Sequence, residues 1–452
     1  LRPSSTRPDE HAFLRAPHRT LVFLSFPVLL SLIAEPLTGL ADTAFVARLG
    51  SSQLAALGVG TIVLSSVFWI FNFLGIGAQT EVARAHGAGE LDRAREISGL
   101  ALVLGFAFGV LLILLGVPLA ERMAGAMGGE GAVRTQASVY LRIRLFGGPA
   151  VVLMTAGFGA LRGLQDMRTP LAIAVAVNAL NVVLDALLIF GLGPIPALGI
   201  AGAAWATAVS QWIGGLWTLA AIGRRMGFPA RLHLHDARLL LVVGRDLFLR
   251  TGLLTVFLLL TTRAATRMGP HAGAAHQAVR QVWVFTALVL DAFAAAAQSL
   301  IGYFRGAGLT DVMRRVAFVA CAWSAGTGLV LSLAMLAAER AVAALLVPPA
   351  AAGLFAAAWR ISAAAQPLNA LSFATDGIHW GTGDYRFLRN VMLLASGAGA
   401  LALLLPGDRG LPWIWWVTGG WIAIRALFGV ARIWPGIGAS PFRQEKGTRA
   451  CV

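Results

Sequence analysis

The chain has 452 residues, of which 58% are hydrophobic and 13% charged, with a net charge of +15 and a mean hydropathy of +0.75. A soluble globular domain carries roughly 25% charged residues, so that class is excluded, and a disulfide framework is excluded because Cys321 and Cys451 are the only cysteines. The basic balance alone would suit a nucleic-acid partner, but the placement of the charges argues against one.

The first 18 residues are polar and include Arg2, Arg7 and Arg15. The apolar segment after them is too long, and too interrupted by Pro27 and Pro36, for a cleaved signal peptide, and reads as a first spanning helix. Apolar stretches then succeed one another at 20–47, 53–83, 97–120, 135–160, 170–192, 199–222, 240–266, 272–303, 314–337, 350–378, 388–406 and 411–432. Each is long enough to cross the ~30 Å hydrocarbon layer as a helix. Helices are the default there, because lipid offers no partner to an exposed N–H or C=O. A β-barrel would need short alternating segments, and these runs are long and continuous. The expected fold is an all-α polytopic membrane protein with twelve transmembrane helices in two pseudo-symmetric six-helix lobes.

Short loops separate these stretches. With the amino terminus in the cytoplasm, one set of loops holds Arg84, Arg93, Arg95, Arg162, Arg168, Arg224, Arg225, Arg231, Arg238, Arg305, Arg314, Arg315, Arg386 and Arg389, and the same side holds Arg443, Lys446 and Arg449. The opposite loops hold Arg48, Arg122, Arg134, Arg267, Arg340 and Arg409. Cations concentrate on the cytoplasmic side of membrane proteins. The expectation is a multi-pass inner (plasma) membrane protein with both termini cytoplasmic and no nucleic-acid partner. It would act as a monomer among membrane lipids on a small-molecule substrate.

The chain also repeats itself. Ala78-Gln79 recurs as Ala297-Gln298 and Gly87-Ala88-Gly89 as Gly306-Ala307-Gly308, both with the offset 298 − 79 = 219. Pro149, Gly163, Asp166 and Arg168 recur as Pro367, Gly381, Asp384 and Arg386, with an offset of 367 − 149 = 218. Six spans per repeat is an even number, so both halves enter the membrane in the same orientation, related by an axis near its normal. The expected lobes are 1–225 (spans one to six) and 226–452 (spans seven to twelve). They are joined by a basic loop near 224–240 that contains Gly227, Pro229, His233 and His235.

An ionisable residue inside a span is a functional candidate by default. The first half has two, Asp42 late in the first span and Asp185 in the fifth. Their counterparts in the second half are Thr261 (42 + 219) and Leu403 (185 + 218), so the acidic site is expected in one lobe. A buried carboxyl beside a second one can take up and release a proton in the physiological range, and it attracts a lipophilic cation. Asp185 is read as functional because Asn178 and Asn181 surround it and no basic residue neighbours it in its span.

Pro27 and Pro36 remove backbone hydrogen bonds and allow the first helix to bend, although Pro27 could also simply start that helix. Glu35 could face a cavity or pair with an arginine. In the second half, Asp291 and Asp376 meet Arg263, Arg280, Arg360 and Arg425 within the spans, where mutual neutralisation is the expected use. The histidines show no metal-ligand spacing. No Walker A loop or dinucleotide-binding turn is present, so neither ATP-driven transport nor an enzymatic cluster is expected.

Arg162-Gly163-Leu164-Gln165-Asp166-Met167-Arg168-Thr169-Pro170 resembles the RGxQDxxTP loop of multidrug and toxic compound extrusion (MATE) transporters. Gly199-Ile200-Ala201-Gly202-Ala203-Ala204-Trp205-Ala206-Thr207 is similar to that family's GxxGAAxAT stretch in the sixth helix. Asp291-Ala292-Phe293 and Asp376-Gly377-Ile378 resemble the DNA-damage-inducible F branch. The resemblance covers essentially the whole chain. It implies export of drugs or cations coupled to H⁺ or, in some members, Na⁺, with the coupling carboxylates in the amino-terminal lobe at Asp42 and Asp185. It further matches Tyr140 and Thr207 to polar positions that accompany them.

The resulting expectation is H⁺ antiport of cationic or amphipathic organic compounds by alternating access, with no cofactor beyond the coupling ion. A Na⁺-coupled exporter and a lipid-linked precursor flippase using Arg263 and Arg280 are the competing readings.

Overall fold

The computed structural model describes residues 8–191, 193–194, 196–229, 231–232, 237–405 and 409–443. His233, His235, Cys451, Arg2, Arg7, Lys446 and Arg449 therefore lie outside the described residues.

The described residues are helical, without a strand. After short turns at the start come α1 (Pro17–Ala47), α2 (Ser51–Trp69), α3 (Asn72–Gly87), α4 (Leu91–Ala126), α5 (Gly131–Phe146), α6 (Gly148–Gly163), α7 (Arg168–Phe190) and α8 (Ile200–Arg225). There follow α9 (Ala237–Arg267), α10 (Pro270–Gly306), α11 (Thr310–Leu346), α12 (Ala352–Ala364), α13 (Gln366–Gly381), α14 (Tyr385–Leu403) and α15 (Gly410–Ile433). Taking α2 with α3, α5 with α6 and α12 with α13 as interrupted single spans leaves 15 − 3 = 12 spans at the expected positions.

Seven of them are apolar enough to cross a membrane by composition alone, and the α5–α6 pair, bent by 48°, makes an eighth. The others are more polar for visible reasons: α9, for example, carries Arg245, Asp246 and Arg250 in ion pairs, with Asp246 and Arg250 buried. Large side chains such as Phe318 and Leu404 are exposed outward, as lipid-facing positions require.

The interruptions follow the sequence. Pro149 stands in the first turn of α6 and its repeat Pro367 in the first turn of α13. A proline is tolerated at a helix start and breaks a helix in its interior, so each half divides its fourth span at the same repeat position. The α2–α3 break at Ile70-Phe71 has no counterpart, since α10 runs unbroken through the equivalent residues. Both Pro27 and Pro36 lie inside α1, which begins at Pro17, so the reading of Pro27 as a helix start is corrected.

By packing, the residues form two compact units. Among the described residues, one holds 26–244 and the other holds 245–443 together with 8–25. This division runs beyond the 225/226 boundary read from the sequence, because the start of α9 packs inward: Leu240 and Val243 lie against Gly77, and Phe73 lies against Gly244.

Within each unit the same neighbours meet. In the first, α6 packs on α3, α4 and α8, and α7 packs on α8; in the second, α13 packs on α10, α11 and α15, and α14 on α15. Close approach is duplicated as well. A Cβ on Gly163 would stand 2.8 Å from the Gln79 carbonyl oxygen, and one on Gly381 2.6 Å from that of Gln298. Small residues let spanning helices touch backbone to backbone, so the repeat detected in sequence is a repeat of packing.

The RGLQDMRTP segment works as a clip. Asp166 accepts from the Thr169 backbone N–H (3.1 Å) and hydroxyl (2.7 Å), capping α7, and pairs with Arg225 at 2.8 Å. Its repeat, Asp384, pairs with Arg432 at 2.9 Å.

Candidate functional site

The polar centre of the first unit is assembled from residues spaced four apart on three helices. Asn181 and Asp185 stack on α7, Thr207 and Gln211 on α8, Tyr140 and Arg144 on α5, and Asp42 joins them from α1. Residues four apart share one helix face, so each of these helices presents two polar groups, one turn apart, to the same side.

The GxxGAAxAT stretch sets the spacing between α7 and α8. A Cβ at Gly202 would fall 2.4 Å from the Leu188 carbonyl oxygen, so only glycine lets α8 close on α7 and bring Thr207 to Asn181. The Asn181 amide, oriented so that both its ends are satisfied, donates to Asp42 Oδ1 at 3.1 Å. Its oxygen then faces the Thr207 backbone N at 3.2 Å and hydroxyl at 3.1 Å. The Thr207 hydroxyl also donates to the Ala203 carbonyl at 2.9 Å.

The two aspartates come together. Their side chains lie close enough to act on each other. Asp185 is fully buried, and neither of its oxygens meets an N–H or O–H of any described residue. Two carboxyls brought together at low dielectric are costly to ionise at once. Asp42 is partly accessible, on the open side of the pair.

Tyr140 is buried, its ring against Gly60 and its hydroxyl near Arg144 and Thr61. Asn178 is half-buried one turn before Asn181 and makes no hydrogen bond among the described residues, so the structure does not bring it into this cluster. Glu35, one residue before Pro36, is exposed.

The expectation that Asp185 has no basic neighbour is corrected. Arg144 arrives from α5, its Nη1 donates to Gln211 Oε1 at 2.7 Å, and its charge acts on both carboxyls. It stands beyond ion-pair distance of either, so neither acid is locked to it. Gly147, at the α5–α6 break, makes room for this bond: a Cβ there would come within 2.7 Å of Gln211 Oε1. Arg144, Gln211 and Thr61 were not singled out in sequence. The usable signal was the four-residue spacing from Tyr140 to Arg144 and from Thr207 to Gln211.

Among the described residues, the second unit has no such carboxyl pair. Thr261 is buried and donates its hydroxyl to the Leu258 carbonyl at 2.8 Å. Asp376 is held between Arg250 and Arg425, the latter at 2.6 Å, and all three are buried. The two guanidiniums lie over the rings of Trp380 and Trp421, at 5.3 and 4.4 Å from the ring centres. Neutralisation of Asp376 by Arg425 was expected; the role of Arg250 was not. Arg360 pairs with Glu339 at 2.8 Å, Arg263 is exposed, and Arg280 is half-buried. Among the described residues, no three His, Cys, Asp or Glu side chains converge as a metal site would need.

Twelve spans in two repeats, with two acids brought together inside one of them, are the build of a membrane transporter. The MatE family model matches residues 27–187 and 247–402, and the chain belongs to the MATE family of multidrug efflux transporters. It is 32% identical to Protein DETOXIFICATION 44, chloroplastic, of Arabidopsis thaliana, over 91% of this chain and 81% of that protein. It is 30% identical to DNA damage-inducible protein F of Escherichia coli, over 94% and 93% of the two chains. Its fold is that of a MOP superfamily transporter from Pyrococcus furiosus, with a TM-score of 0.82 at 23% identity, covering 94% of this chain and 97% of that one.

Proposed function

We propose that this transporter exports small cationic or amphipathic organic compounds across the plasma membrane in exchange for protons, with both termini cytoplasmic and no cofactor beyond the coupling ion. The observation that carries this reading is the Asp42–Asp185 pair, in which the inner carboxyl has no protein donor on either oxygen. Two buried carboxyls in contact cannot both be ionised at low cost, and hold a proton between them. Loss of that proton leaves a negative charge in a low-dielectric surrounding, which a cationic substrate offsets. Proton and substrate thus compete for one charge, which is the requirement of antiport.

Asn181 orients Asp42, and Thr207 orients Asn181. Helix α1 couples the event to movement: it carries Asp42 and lacks the backbone donors that residues 27 and 36 would otherwise supply. A helix missing two hydrogen bonds bends at lower cost, so protonation of Asp42 can change its course and open the unit to the other side.

Purified protein in proteoliposomes, loaded with a fluorescent organic cation, should move it when a pH gradient is imposed. Asp42→Asn and Asp185→Asn should each abolish the response to the gradient while leaving a folded protein. Transport indifferent to both substitutions would remove the proposal. Transport driven equally by a Na⁺ gradient at uniform pH would make Na⁺ the coupling ion. Translocation of a labelled lipid without movement of the dye would favour the flippase.

A further inference from the structure

Arg144 places a permanent cation beside the exchanging carboxyls, and its consequence is a limit on substrate charge. The groups facing the pair are, from α1, Asp42 itself; from α7, Asp185 and neutral Asn181; from α8, neutral Thr207 and Gln211; from α5, Tyr140 and Arg144; and from α2, neutral Thr61. Gln211 anchors the guanidinium at 2.7 Å and keeps it off the carboxylates. It therefore neither consumes an acid nor leaves the site.

With both carboxyls ionised the cluster sums to −2 + 1 = −1, and with one proton to zero. A buried cluster is stable only close to neutrality. The empty, deprotonated site therefore has room for one positive charge, supplied either by a proton or by a monovalent cation. A divalent cation would leave the cluster at −1 + 2 = +1, an uncompensated buried charge. Without Arg144 the same pair would reach −2 and balance a dication.

We propose that Arg144 is a specificity-determining residue that restricts the exported substrate to one net positive charge. The inference rests on the proton-exchange reading of the carboxyl pair and adds to it the charge class of the substrate.

The test uses two dyes of one chemical scaffold, ethidium with a single charge and propidium with two, in full-length protein reconstituted in proteoliposomes under a pH gradient. Wild-type protein should prefer ethidium, and Arg144→Gln should shift the ethidium-to-propidium ratio toward propidium by about tenfold, the size expected for one charge near a partly screened site. Arg144→Lys, which keeps the charge, should retain the wild-type ratio. A residue that only supported α5 would lower transport of both dyes together and leave the ratio unmoved, and that result would overturn the proposal. If Arg144→Gln transports too weakly to measure, direct binding of the two dyes to the purified variant supplies the same ratio. Wild-type protein that moves both dyes with no preference refutes the role of Arg144 alone; wild-type protein that responds to no pH gradient refutes the proton-exchange reading as well.

Discussion

The two repeats pack alike and charge their interiors in opposite ways. In the first unit, Asp42 and Asp185 face each other with their arginine held aside by Gln211. In the second, one carboxylate, Asp376, is gripped by two arginines. The repeat register makes the exchange explicit: Arg425 occupies the position of Thr207 (207 + 218), and Arg250 that of Ser31 (250 − 219). A paired buried charge resists change, because separating it exposes both ions to low dielectric. An acid pair that shares a proton changes charge without moving a heavy atom. The comparison teaches that duplication supplied one scaffold, and substitution at a few inward positions gave one copy a carboxyl pair, on which the proposed proton exchange rests, and the other a buried ion-paired cluster.

The sharpest way to break this comparison is Asp376→Asn. Removing the shared partner leaves two buried guanidiniums uncompensated, a loss of about 3–5 kcal/mol, read as a fall in thermal unfolding temperature of the detergent-purified protein. Asp185→Asn should do the reverse, with little loss of stability, because a neutral amide replaces a carboxyl that makes no ion pair. Its pH-driven transport should fall about a hundredfold, the lower range for losing a positioned proton carrier. If Asp376→Asn were the one that spared folding and abolished coupling, the assignment of roles to the two units would be reversed.

Smaller effects test the shared scaffold. Gly163→Ala and Gly381→Ala each drive a methyl group into a neighbouring carbonyl, and each should cost about 1–3 kcal/mol, measured by the same melting experiment. Near-equal values would support equivalent packing in the two units, and a large inequality would count against it. Tyr140→Phe should have the smallest effect. It removes one buried hydroxyl near Arg144 and Thr61, about 1 kcal/mol, and should lower transport severalfold with the ethidium preference intact.

Much of this molecule was legible in one dimension. Spans were readable because lipid demands long apolar helices, and the repeat because Pro149 and Pro367, or Gly163 and Gly381, hold the same packing duties in both halves. Asp42 and Asp185 were readable as rare acids in apolar runs. Arg144 was not, since it lies near the end of α5 close to Arg142 and looks like another charge approaching a membrane face. Nor was Arg250, which sits four residues after Asp246 and reads as its helical partner, whereas Asp246 is satisfied by Arg245 and Arg389.

Sequence by itself determined the number of spans and their duplication, because hydrophobic length and residue type are local properties that the bilayer reads directly. Tertiary structure decided which charges compensate one another. Coulomb interactions depend on distance and on burial, and helices remote along the chain bring Arg144 to two acids and two arginines to Asp376 only once they have packed.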